Sequence, residues 1–294
     1  MNAPLNVQYS AEMQVRKNLD FQLEQHMPRF WFGGHPFKTR VFDALSLTFP
    51  DGERYFISSV RLFRDQITDP DLKARVKDFI LQEAQHGIAH DKMNQLMMKQ
   101  GMPVQEMIAF FKAHFDDLLK NRSPEYNIAI TAASEHLTAL MAECFYSRKE
   151  TLAEVDPFVR ALFAWHAIEE MEHRDVAFDV MQDVAKVSYP LRASALAITS
   201  VLMCGFTLYR TNIMLKADGF GRRERINLFA EGLPWLFGKK GILSHMKKPY
   251  MDWFKPDFHP SQHPVLAQYP IWVKTLKETG DPIAAGEALW EAGK

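Results

Sequence analysis

The chain has 294 residues, 47% of them hydrophobic, with a formal net charge of −1 at pH 7. That composition supplies a sizeable core and excludes general disorder, and the near-zero charge offers no field to draw in nucleic acid. Only two cysteines occur, Cys144 and Cys204, both in apolar helical runs; this suits buried thiols in a reducing compartment, not a disulfide framework.

The N-terminal segment MNAPLNVQYSAEMQVRKN has no basic stretch followed by an apolar one, so no secretion signal is read and a cytoplasmic location is expected. Residues 1–35 read as an arm whose Phe30, Trp31 and Phe32 pack onto a helical bundle. A helix carrying Glu53 runs to about Gln66, with Pro50 marking its start or a kink. Thr68-Asp69-Pro70 caps the next helix, which runs to the natural stop at Gly101. Residues 102–122 form a long connection with an extra helix over Val104–Lys120. Ser123-Pro124-Glu125 opens a helix to about Glu150, and Asp156-Pro157 opens another to about Val187. No long stretch alternates with period two, so the chain reads as all-α.

A fifth helix is predicted from Pro190 to about Ala217. Its stretch from Ala193 to Tyr209 has no charged residue, and at 17 residues is short for a membrane span. Two readings stand. One is a buried helix covering the bundle. The other is peripheral membrane contact through 191–240, helped by Arg210, Lys216, Arg222, Arg223, Arg225, Trp235, Phe237, Lys239 and Lys240, at the inner face of the membrane. Short helices are predicted near Arg223–Glu231, Pro270–Glu278 and Pro282–Glu291. The expected organisation is an arm (1–35), a metal-binding helical bundle (36–190) and a C-terminal extension packed on it (191–294), as a single domain.

The chemistry lies in two Glu-x-x-His motifs, Glu83-Ala-Gln-His86 and Glu170-Met-Glu-His173. A helix turns about 100° per residue, so each pair shares one helix face. Glu53 lies 30 residues before Glu83, and Glu135 lies 35 before Glu170. One such motif carries little weight. Two, each mid-helix with an upstream helical glutamate, give the ligand set of a dinuclear centre in a ferritin-like four-helix bundle with a long crossover. The crossover makes the second and third of these helices parallel, and the second and fourth antiparallel. Carboxylates with imidazoles and no thiolate suit two metal ions, Fe first, then Mn or a mixed Mn/Fe pair, with Zn if the chemistry is hydrolytic. The motif glutamates are expected to bridge, with Glu53 and Glu135 terminal. His90 and His166 share the motif faces and are candidate extra ligands or supports, which predicts an asymmetric site, with one metal richer in nitrogen or a third site nearby. Glu169, Glu172 and His136 point off the metal face, toward solvent or a supporting role.

The stretches Ala44-Leu-Ser-Leu-Thr-Phe-Pro-Asp-Gly-Glu-Arg-Tyr-Phe56, Gln82-Glu-Ala-Gln-His86, Trp165-His-Ala-Ile-Glu-Glu-Met-Glu-His173 with Val176-Ala-Phe-Asp179, and Phe258-His-Pro260 resemble a bacterial family described as predicted metal-dependent hydrolases. The resemblance runs from about Trp31 to Pro264. It implies hydrolysis, and gives His259 either a place at a substrate mouth or a structural role. The ligand pattern itself points to a non-haem di-iron enzyme that oxidises a hydrophobic small-molecule, acyl or lipid substrate with dioxygen, using an electron donor. Metal-dependent hydrolysis is the alternative and non-catalytic iron binding the second. Such a bundle also suits a homodimer.

Overall fold

Short polar caps followed by proline set where the long helices begin. In the computed structural model, Asp69 accepts a hydrogen bond from the Asp71 amide, Ser123 from Tyr126, and Asp156 from Phe158 and Val159, each just ahead of a proline in the first turn. The structure describes residues 13–293; residues 1–12, part of the expected arm and of the segment read for a signal, lie outside the described residues. Among the described residues the protein is all-α. There is no β-strand, and one isolated bridge joins Phe32 to Val155.

In chain order, a single turn α1 (Leu23–His26) lies in the arm. Helices α2 (Pro36–Ser46) and α3 (Phe49–Arg61) come next, with Pro50 in the first turn of α3. Helix α4 (Pro70–Lys99) ends before Gly101, whose φ of +87° suits glycine. Helix α5 (Val104–Asn121) occupies the connection, and α6 (Pro124–Tyr146) and α7 (Pro157–His173) complete the ligand-bearing set. Trp31 and Phe32 are buried against Phe42 and Phe163, as expected of the arm's aromatics.

Helices α3, α4, α7 and α6 pack side to side in a closed square. In α4, Gln82, His86 and His90 meet Glu172, Glu169 and His166 of α7 in reverse order, so these two run antiparallel. In α6, Glu135 and Tyr146 meet His173 and Arg160 of α7, again in reverse order. Helices α4 and α6 are therefore parallel, and a connection long enough to hold α5 returns the chain between them.

The expected helix from Asp156 to Val187 is broken. Helix α7 stops at His173; a turn leads to α8 (Val176–Asp179) and a π-helical segment Val180–Val184. Tertiary contacts hold the break. Arg174 donates to the carbonyls of His263 and Pro264, and Asp179 pairs with Arg75 at 2.6 Å and His259 at 2.8 Å.

Helix α9 (Tyr189–Ala217) corrects the buried reading of the fifth helix. It packs one face on α2 and α6, through Ala195, Leu196, Thr211 and Met214, but only 28% of its most apolar window is buried. Ile198, Val201, Leu202 and Tyr209 are exposed, as is Phe110 of α5. By length and composition this 29-residue helix is apolar enough to cross a membrane. Cys204 of this helix is exposed, unlike buried Cys144, so the expectation of two buried thiols holds for one. The remainder forms α10 (Arg222–Phe237), α11 (Lys247–Asp252), α12 (Tyr269–Thr279) and α13 (Pro282–Glu291), with α13 packed on α7.

Candidate metal centre

All six sequence-predicted ligands point into the middle of the square and are buried: Glu53 from α3, Glu83 and His86 from α4, Glu135 from α6, Glu170 and His173 from α7. Two groups able to hold a metal ion result. Glu83, Glu135, Glu170 and His173 offer atoms within 4.8 Å of one another, and so do Glu53, His86 and His166. His173 Nε2 stands 3.1 Å from Glu83 Oε1, 3.2 Å from Glu135 Oε2 and 3.6 Å from Glu170 Oε1. His86 Nδ1 is 3.6 Å from Glu83 Oε1 and 3.9 Å from Glu170 Oε1. His166 Nε2 is 2.9 Å from Glu170 Oε1.

Most of the donor atoms have no other occupation. Both oxygens of Glu53, Glu83 and Glu135, together with His86 Nδ1 and His173 Nε2, are buried without a hydrogen-bond partner. Leaving so many polar atoms unsatisfied is costly, and two divalent cations would neutralise four carboxylates. The protonation tendencies agree. Burial, then the neighbouring carboxylates, push Glu53 and Glu83 well above the usual range; the same causes bring Glu135 up to about 7. Burial also opposes charge on Glu170, but the hydrogen bond from His166 and the closeness of His173 outweigh it and hold this carboxyl low. Burial first, then His166, keeps His86 neutral, as a ligand must be. On His173 burial is outweighed by Glu135, Glu170 and Glu83, which raise its basicity. The carboxylates thus draw a proton onto the nearest imidazole, as a cluster of negative charge short of cations does.

The outer hydrogen bonds fix which ring nitrogen faces inward. The Gln82 amide nitrogen donates to Glu172 at 2.7 Å, so its oxygen faces His173 Nδ1 at 3.0 Å and accepts from it. That leaves His173 Nε2 toward the carboxylates. Glu169 Oε2 lies 3.1 Å from His86 Nε2 and leaves Nδ1 inward by the same logic. On the other side, Ser46 Oγ, His90 and His166 form a chain at 2.9 and 2.7 Å. His166 turns Nε2 toward Glu170 and joins the metal-holding group, whereas the two nitrogens of His90 face Ser46 and His166, so it supports His166 from behind. The clustering of His86, His90 and His166 at one end is the nitrogen-rich end read from their spacing, with the His86 and His166 rings stacked 4.2 Å apart.

Glu169 and Glu172 are not solvated. Both are buried and bound by Arg16 of the arm, at 2.9 and 2.7 Å, and Tyr269 adds a hydrogen bond to Glu172 at 2.7 Å. The solvent alternative fails because α7 is buried all round from Val159 to His173, so off-face carboxylates also needed partners, and Glu169 takes the supporting one through His86. The apolar neighbours on every side of Glu169 were the available signal; nothing in sequence marked Arg16 or Gln82. His136 turns away and stacks on Trp253 at 4.9 Å. His259 hydrogen-bonds Asp179 and Ser261 and belongs to neither donor group.

Gly87, mid-helix in α4, makes room for Glu53. A Cβ there would stand 3.2 Å from Glu53 Oε2. Gly87→Ala should favour the helix by up to about 1 kcal/mol, yet displace Glu53 and lower metal occupancy. Unchanged metal content by elemental analysis, at equal or higher thermal stability, would show that Glu53 does not need this space.

A family model described as "Predicted metal-dependent hydrolase" matches residues 15–264. No curated protein and no solved structure matches the chain.

Proposed function

Since the chain belongs to the family of predicted metal-dependent hydrolases, we propose that it is a dinuclear metal-dependent hydrolase acting on an apolar acyl compound. The family description supports hydrolysis over the oxidation first expected from the ligand pattern. The observation that carries the dinuclear reading is the convergence of unsatisfied, buried donor atoms from four helices. Glu83, Glu135, Glu170 and His173 would hold one ion, and Glu53, His86 and His166 the other, with Glu83 and Glu170 between them. Bound there, such ions activate water and polarise a carbonyl.

The protein's own residues do the rest. Glu169 and Gln82 orient the two motif histidines. The Thr138 hydroxyl donates to Glu170 Oε2 and fixes that carboxylate. Leu45, Phe49, Met141 and Phe163 give a small cavity beside His166 and Glu170 a largely apolar wall.

A second reading, oxidation by dioxygen at a di-iron centre, is favoured by the same wall. That cavity has few polar groups to position an ester, and four carboxylates with imidazoles suit iron. One experiment separates the two. Elemental analysis of freshly purified protein is followed by hydrolysis assays on p-nitrophenyl acyl esters with added Zn or Mn. In parallel, ferrous protein is exposed to oxygen and its absorption followed. Metal-dependent ester cleavage supports hydrolysis. About two irons per chain with an oxygen-dependent spectrum and no cleavage transfers the assignment to oxidation.

A further inference from the structure

Three cavities meet at two side chains. The one beside His166 and Glu170 is about 30 Å³, room for about one water-sized group. A second, about 350 Å³, runs between α2, α6, α9 and residues 236–250. A third, about 110 Å³, lies between α3, α5, α6 and α9 and touches Glu53. Leu45 and Met141 line all three, and Phe145 lines the first two. The walls of the largest are apolar apart from Ser200, Thr207 and Tyr250, and among the described residues its only charged lining group is Lys247, which is exposed at the rim. Its volume falls at the lower end of small-molecule sites. A wall of branched aliphatics and methionine is adaptable, because Met has three rotatable bonds and a soft thioether.

We propose that the largest of these three cavities binds an unbranched acyl or alkyl chain, whose inner end passes Met141 to reach His166 and Glu170. The assignment of the reacting end rests on the metal-centre reading; the chain site itself does not. An apolar slot with one charged group at its rim selects length and linearity, since it offers apolar area but few hydrogen-bond partners to discriminate head groups. Rotation of the Met141 side chain is what joins the large cavity to the small one. Leu45 sets the width of the same passage from the α2 side.

The test is calorimetric titration of the full-length protein, metal-free and metal-loaded, with saturated fatty acids from six to sixteen carbons below their micelle concentrations. Affinity is expected to rise about fourfold per methylene, the fold-change equivalent to about 0.8 kcal/mol, and to level off once the cavity is full. Met141→Trp should weaken the longer chains at least tenfold and leave metal content unchanged. Leu45→Ala, which removes volume and so does not depend on Met141→Trp folding, should move the plateau to longer chains. Val201→Ser, on the exposed face of α9, should change neither. Affinity without a plateau, or loss on Val201→Ser instead of Met141→Trp, would put the chains on the outer surface of α9 and overturn the proposal. Chain binding without ester cleavage would leave this site standing and remove the hydrolase reading. Cleavage of short esters with no chain-length dependence would do the reverse.

Discussion

Replacing Glu83 and Glu170 together with alanine is expected to take bound metal from full occupancy to background. These two carboxylates stand between the groups. Glu83 Oε1 is near both His173 and His86, and Glu170 Oε1 is near His166, His173 and His86. Removing both would take away the carboxylate oxygens that lie within reach of both groups. The wild-type protein should gain thermal stability when metal is added, by about 4 kcal/mol at a thousandfold excess over Kd, and the double variant should gain none. Full metal retention in the double variant would remove the proposed centre altogether.

The same substitutions separate holding metal from holding the fold. Without metal, Glu83 is a buried carboxyl pushed up by burial and by Glu135. A raised carboxyl favours the folded state below the unfolded value near 4.5, and that contribution is lost as pH rises through the folded value. Glu135, raised to about 7, defines the window. Chelated wild-type protein should therefore lose stability between about pH 4.5 and 7. Glu83→Gln should raise metal-free stability at pH 8 by about 1–3 kcal/mol while lowering metal affinity. Equal melting temperatures for the two chelated proteins at pH 8 would contradict this account of the metal-free cluster.

Arg16→Ala is expected to have the largest effect on stability. The guanidinium is nearly enclosed, binds Glu169 and Glu172, and lies 4.9 Å from the Trp272 ring centre. Its loss leaves two buried carboxylates without their cation, a change worth about 3–5 kcal/mol. In a chain of this size that lowers the melting temperature by on the order of 10 °C. Glu169 is already brought up to about 8, by burial opposed by Arg16. Losing Arg16 raises it further, so the defect should be greatest above pH 8 and shrink as the solution is acidified. Arg16→Ala with Glu172→Gln should recover part of the loss. A melting temperature for Arg16→Ala equal to wild type at pH 8 would mean that the arm does not stabilise α7. Because Glu169 holds His86, metal affinity should fall with the arm's contact as well.

The sequence by itself determined the all-α class, the starts of the long helices and the residues that converge. Capping side chains next to prolines act locally, and the Glu-x-x-His spacing follows from the helix repeat; neither needs the rest of the fold. It also set the parallel course of α4 and α6, because the length of 102–122 permits a crossing. Tertiary structure decided what local rules do not reach. The end of α7 at His173 depends on Arg174 reaching carbonyls some ninety residues away. Whether His166 or His90 faces the centre depends on Ser46 engaging His90 from another helix. The burial of Glu169 and Glu172 depends on Arg16 and Tyr269 arriving from opposite ends of the chain. The exposed side of α9 was hidden for the same reason: an apolar helix reads alike whether one face or all of it is covered, and only the neighbours determine which.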